Sequence, residues 1–425
     1  MTQQSTLFRS LVFLLVFLLL AAAVIRSPVA GAQSPHQSPS APSAPSAPRP
    51  PSQAAQWAAF TQKFDALSDS DSIVGAGVML VRDGRVIAHH EHGYADRDQR
   101  MLVTPQTIYH YGSITKTLTA IAIMQLRDRG RLSLDDRITR YIPELRQVHD
   151  AFGSMDDITI RMLLSHSAGF QDPTWPYKQG KPWEPFEPTT WNQLLAMMPY
   201  QELLFAPGSR YSYSNPAFIY LARVIEQLTG DPWESYIQKN IFNPLGLTHS
   251  YFRTTPYYLA ADRSHNYTRL KDPSGHDVVI DNGADFDPGI TIPNGGWNAP
   301  LGDLAIYLAF LTNATHGDAA TQRLYDTVLP HSSLMEMWQP LYQITQDGSE
   351  VREDSVGLSF FTVRLGQTTF VGHTGNQAGF RAFLFLNPLT GAGVVAAFNT
   401  DSDLPPDEQP SRYQRIRDAA LELLR

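Results

Sequence analysis

The chain has 425 residues, a formal net charge of −8 and no cysteine. The acidic balance gives no electrostatic reason to bind nucleic acid, and the missing cysteines exclude disulfides, thiol nucleophiles, thiolate-bound zinc and a lipoprotein anchor. With 43% hydrophobic and 17% charged residues, the composition is that of a globular protein.

Residues 1–32 have the layout of a signal peptide. Arg9 supplies the positive start, residues 11–25 an apolar run, and Ala30-Gly31-Ala32 a small-x-small cleavage pattern. The run is shorter than the roughly 20 residues of a spanning helix, so cleavage is expected, with an uncleaved membrane anchor as the alternative. Either way the body of the protein is expected outside the cytoplasm, periplasmic or secreted. Residues 33–55 are rich in Pro, Ser and Ala, which keep a chain extended and build no core. They read as a linker to one folded unit over residues 56–425.

Trp57, Phe60, Phe64 and Leu67 recur at helical spacing, so an amphipathic helix opens that unit. Residues 74–81 read as a buried strand, Asp83-Gly84 as a hairpin turn and residues 85–94 as the returning strand. His90 and His92 share a face of the return strand, which reads as a polar surface in preference to a metal site. Helix formers fill residues 113–129, 217–228 and 301–311, and the first two stretches stop near Gly130 and Gly230. Residues 171–191 hold Trp175, Tyr177, Trp183, Phe186 and Trp191 among repeated prolines, too irregular for a helix. A lid is expected there, with packing on the domain surface as the alternative. Strand patterns return over residues 358–365, 368–371, 380–386 and 392–398, and a helix over 411–424 closes the chain. The fold class expected is α/β (α+β). Both chain ends (56–110 and 355–425) would form one antiparallel sheet with flanking helices, and residues 111–354 an inserted, mostly helical region.

Three short motifs carry chemistry. In Ser113-Ile114-Thr115-Lys116, helical spacing lets Lys116 reach back to Ser113, and a serine needs a neighbour to take its proton before it attacks. Alone, the motif also fits a serine that merely caps the helix. Tyr213-Ser214-Asn215 lies between Ala206-Pro207-Gly208 and a helix. There the Tyr213 phenol can act as a base and the Asn215 amide can hold a carbonyl, or else Tyr213 packs and Asn215 caps. His373-Thr374-Gly375 ends a strand and is followed by Asn376; Gly375 permits close approach, and the Asn376 N–H can serve as an oxyanion donor beside that of Ser113.

Their order and spacing resemble the serine β-lactamase and D-Ala-D-Ala-peptidase superfamily, in particular its class C branch with Tyr-x-Asn. The resemblance extends over Tyr111-Gly112-Ser113-Ile114-Thr115-Lys116, residues 160–169, Phe205-Ala206-Pro207-Gly208, residues 241–247 and Gly372-His373-Thr374-Gly375, and covers roughly residues 64–398. It implies an exported serine hydrolase working through an acyl-enzyme, with Ser113 as nucleophile and Lys116 and Tyr213 moving the proton. Asn215, His373, Thr374, Gly375 and Asn376 would bind substrate, and no cofactor or metal would be needed. The substrate would be a small molecule or peptide: a D-alanyl peptide or related acyl compound first, a simple ester or a β-lactam as alternatives. A non-catalytic binder of cell-wall peptides is the reading from a different class. The sequence leaves the oligomeric state open. One departure matters: class C β-lactamases carry lysine where His373 stands, and histidine's charge is conditional near neutral pH.

Overall fold

Strand β1 (Gly75–Arg82) is buried along nearly its whole length, which is the signature of a strand covered on both faces. Asp83 and Gly84 both take positive φ (49° and 64°), the turn that matches strand twist, and return the chain as β2 (Arg85–Asp96). On β1's other edge the far end of the chain supplies β9 (Gly393–Phe398), antiparallel, with Ala76 opposite Phe398 and Val81 opposite Gly393. The remaining strands are β3 (Met101–Leu102), β4 (Tyr342–Gln343), β5 (Ser355–Val356), β6 (Phe361–Leu365), β7 (Thr368–Gln377) and β8 (Phe380–Leu386). They complete a nine-stranded sheet in the order β3-β2-β1-β9-β8-β7-β6-β5-β4. This architecture is that of a computed structural model, which describes residues 52–170, 188–344, 354–402 and 410–425. The expected signal peptide, most of the linker, and the lid residues Trp175, Tyr177, Trp183 and Phe186 lie outside these residues.

Side-chain alternation divides the sheet's neighbours into two cores. Ala76, Val78, Leu80, Val394, Ala396 and Phe398 face helices α1 (Gln53–Ser70) and α7 (Arg412–Glu422) through Phe60, Phe64, Ile416 and Leu421. Met79, Val81, Val395 and Ala397 face the larger core. It contains α2 (Thr115–Asp128), α4 (Asn215–Thr229) and α6 (Leu301–Leu311). In α2 every residue from Thr115 to Leu126 is buried, so this helix is the hydrophobic axis of the helical region.

Several elements differ from the sequence reading in a physically interpretable way. Helix α1 begins at Gln53, ahead of the expected start at Gln56, because Ser52 accepts the Ala55 N–H as its N-cap. The strand expected over 358–365 starts at Phe361, after a bend in which Ser359 takes φ 71°. The strand pattern read over 368–371 continues to Gln377, and the His-Thr-Gly motif lies near that strand's end, as expected. The inserted region is mostly helical, as expected, and also carries strands: Tyr267–Lys271 and Asp277–Asp281 pair, and β4 joins the edge of the main sheet. His90 and His92 do share a face, but it meets α1 rather than solvent. Asp65 Oδ1 bonds His90 Nε2 at 2.8 Å and His92 Nδ1 at 3.0 Å.

Candidate active site

Between a short strand, Ile108–His110, and α2, residues Gly112–Ile114 make one 3₁₀ turn. Thr115 Oγ1 fixes this turn, donating to Gly112 O at 2.7 Å while accepting the Trp297 N–H at 3.0 Å. The N-cap position of α2 falls on Ile114, so Ser113 is not spent on capping and its half-buried hydroxyl faces Lys116 instead. Lys116 is fully buried, and a buried ammonium requires polar partners. Its Nζ donates to Ser113 Oγ at 2.8 Å and to Asn294 O at 2.9 Å. Asn294 lies in a single helical turn, α5 (Ile292–Gly295), more than 170 positions along the chain.

Tyr213 and Asn215 arrive with the start of α4. The cap is Ser214, whose side chain accepts the Ala217 N–H at 3.3 Å, rather than Asn215. The Asn215 side chain is therefore not the cap, and its Oδ1 accepts from Asn294 Nδ2 at 3.3 Å. Asn294 thus ties Lys116 to Asn215. The Tyr213 ring centroid is 4.8 Å from Lys116 Nζ, and Phe218 flanks the ammonium at 5.7 Å. Behind Tyr213 lies His166, stacked on its ring at 4.4 Å between centroids.

The opposite wall is β7. Ala378 and Gly379 form a two-residue turn with φ 47° and 79°, pairing Gln377 with Phe380. Counting back by the antiparallel alternation, the backbone groups of Thr374 and Asn376 point away from β8. On that outer side β6 pairs only as far as Gly372, opposite Phe361. The two walls touch through glycine: a Cβ on Gly375 would stand 2.0 Å from Tyr111 O and 3.4 Å from Ser113 N, and one on Gly112 would stand 2.8 Å from Asn376 N. Only backbone this close brings the Ser113 and Asn376 amides together.

His373 differs from expectation. It is buried, its Nδ1–H donates to Thr374 O, and its Nε2 is sealed from solvent. Burial, reinforced by the Lys116 charge, pushes its pKa down to about 3. The conditional charge anticipated from sequence is therefore absent at neutral pH, and His373 presents a neutral ring packed edge-on against Phe361 at 4.9 Å.

The structure thus gathers Ser113, Lys116, Tyr213, Asn215, His373, Thr374, Gly375 and Asn376 around the Ser113–Lys116 pair. Sequence reasoning missed Asn294, which acts through its carbonyl and sits in a Pro-Asn-Gly-Gly turn without periodic signal. His166 falls within residues 160–169, which entered the sequence reading only through the family resemblance. Elsewhere Asp96, His265 and Asp281 bring potential ligand atoms within 4.8 Å of one another. There His265 Nδ1 meets Asp281 at 3.0 Å and Nε2 faces Asp96 at 3.5 Å, so both ring nitrogens face carboxylates.

Several known proteins are similar to this chain. Protein flp of Staphylococcus aureus (strain COL) is 24% identical over 349 residues, 81% of this chain and 64% of that protein, so the chain spans just under two thirds of that relative. The octameric penicillin-binding protein homologue of Pyrococcus abyssi superposes with a TM-score of 0.68 at 24% identity, covering 87% of this chain and 77% of the other. A D-stereospecific amidohydrolase from Streptomyces sp. gives 0.66 at 26% identity, covering 85% and 98%. The Beta-lactamase family description matches residues 60–420, and the chain belongs to that family of serine hydrolases.

Proposed function

We propose that the protein hydrolyses small acyl amides and esters through an acyl-enzyme on Ser113. The observation that carries this reading is the buried Lys116 ammonium bonded to Ser113 Oγ at 2.8 Å beside the Tyr213 ring. In the reaction, Ser113 Oγ bonds to the substrate carbonyl carbon as its proton passes to the Tyr213 phenolate oxygen, whose negative charge the Lys116 ammonium supports. Charge on the carbonyl oxygen is met by the amides of Ser113 and Asn376. The bond to the amine or alcohol then breaks, and the leaving group departs with the proton returned through Tyr213. Water adds to the acyl carbon, the Oγ–carbon bond breaks, and Ser113 regains its proton. Asn215 and Thr374 hold the substrate from either wall.

Two observations bear on the substrate. The Streptomyces relative is a D-stereospecific amidohydrolase, which supports D-aminoacyl amides and D-alanyl peptides. The neutral His373 offers no charge for a substrate carboxylate, which supports compounds that lack one. Turnover of D-alanine amide, a D-Ala-D-Ala peptide, a p-nitrophenyl ester and a cephalosporin, compared on one preparation, tests the reading. It predicts amide and ester turnover above that of the two carboxylate-bearing compounds; cephalosporin as the best substrate would overturn it. Export follows as a second proposal from the 11–25 apolar run and Ala30-Gly31-Ala32, and N-terminal sequencing of the protein recovered from its native host tests it.

A further inference from the structure

Helix α3 (Ile160–Leu164) ends in a two-bond C-terminal motif: the His166 N–H donates to Leu163 O at 3.2 Å and the Ser167 N–H to Met162 O at 2.8 Å. This motif puts its left-handed residue where glycine is the usual choice. Here that residue is His166, with φ 54°. A non-glycine side chain in this conformation is strained, and such outliers direct attention to function.

What the strained residue does is visible in its contacts. The His166 carbonyl accepts the Ser212 N–H at 2.8 Å, and its Nδ1 accepts the Ser214 N–H at 3.0 Å. The chain is thus held on both sides of Tyr213 by one residue. The imidazole lies almost parallel to the phenol, at 23° and 4.4 Å, within an aromatic box completed by Tyr211, Phe218 and Phe361. Because a backbone N–H can only donate, Nδ1 must be unprotonated and the ring proton must sit on Nε2. Protonating Nδ1 would set two donors against each other and break the grip on Ser214. The charged and titratable groups facing the ring are Lys116 from α2, His373 from β7, and Tyr211 and Tyr213 from the loop before α4. Burial first, then Lys116 and His373, hold the imidazole well below its ordinary pKa, so the required neutral form persists.

We propose that His166 is the positioning residue of the Tyr213 phenol, clamping the chain on either side of it as the Nε2–H tautomer. The inference rests on the reading that Tyr213 handles the proton. A glycine at 166 would satisfy the helix end, yet it would offer neither the Nδ1 acceptor nor the stacking face.

A double-mutant cycle on the intact enzyme tests this, using turnover of an amide substrate. His166→Phe keeps a ring but removes the acceptor, and should lower kcat about 100-fold with KM within about threefold. In a Tyr213→Phe background the same change should have almost no further effect, because His166 acts through the phenol. His166→Asn places an amide oxygen where Nδ1 stood, tolerates the left-handed conformation, and should restore kcat to within about tenfold of wild type. Losses that simply multiply in the double variant would overturn the proposal, as would His166→Asn being as impaired as His166→Phe. A near-normal Tyr213→Phe single variant would instead overturn the reading of Tyr213 itself. Long-range ¹H–¹⁵N spectra of histidine-labelled wild type add a readout that needs no substitution to fold. They should show His166 protonated at Nε2, and protonation at Nδ1 would overturn the proposal.

Discussion

Lys116 Nζ lies 2.8 Å from Ser113 Oγ, across one turn at the head of a helix whose first three turns are buried. The pairing depends on a chain reversal far away in sequence, since Asn294 O accepts a second Nζ proton at 2.9 Å. A lysine without that carbonyl would be a poorly satisfied buried charge.

The proton path gives the first prediction. Tyr213→Phe and Lys116→Met should each lower kcat by about 100-fold or more, the usual scale of positioned acid–base help. Methionine is the better replacement at 116, because the fully buried side chain leaves a cavity when cut back to alanine. Steady-state kinetics with thermal melts separates lost chemistry from lost folding; near-normal turnover in Tyr213→Phe would make that residue structural.

The contact between the walls gives the second. Gly375→Ala would drive a methyl group to 2.0 Å from Tyr111 O, so β7 and the Ser113 turn must separate. The two amides flanking the carbonyl site should lose alignment, lowering kcat by about 100-fold, the effect of losing one oxyanion donor. Unchanged kcat in a well-folded Gly375→Ala protein would place the oxyanion donors elsewhere.

Three buried histidines give the third. Burial, with Arg263 nearby, lowers His110 to about 4; burial and Lys116 lower His373 to about 3, and His166 lies well below its ordinary value. Unfolded histidines titrate near 6.5, so below about that pH the unfolded chain takes up protons that the folded chain refuses. Stability should therefore be lost progressively as pH falls from about 6.5 towards 3, and His373→Gln should flatten the slope. Urea melts across this range measure it; identical slopes in the two proteins would show that His373 is already charged.

The same neutrality predicts a substrate effect. The ratio of kcat/KM for a neutral ester to that for a carboxylate-bearing ester should stay constant between about pH 5 and 8, where an ordinary histidine would titrate. A ratio shifting towards the carboxylate substrate as pH falls would reveal an imidazolium in the site.

Much of this was legible in the chain. The hairpin at Asp83-Gly84 and the helix over residues 301–311 follow from local chemistry, and the Ser-x-x-Lys spacing needs only helical periodicity. Glycines 112 and 375 had no periodic signal, because their importance lies in two backbones meeting. The strand pattern over residues 368–371 stops short because His373 and Asn376 are polar, although the His-Thr-Gly motif does lie near the end of the same strand. The charge state of His373 was illegible, since it depends on burial and on Lys116, brought near by the fold. The role of His166 was not legible in the sequence, because it rests on a φ value and on hydrogen bonds to residues about 50 positions away.

Acylation of Ser113 is the central step of the proposed mechanism. Intact-mass measurement after reaction with a fluorophosphonate, followed by peptide mapping, should find one label, on Ser113, and none in Ser113→Ala, which should also lose turnover. Label on another serine, or undiminished turnover by Ser113→Ala, would contradict it.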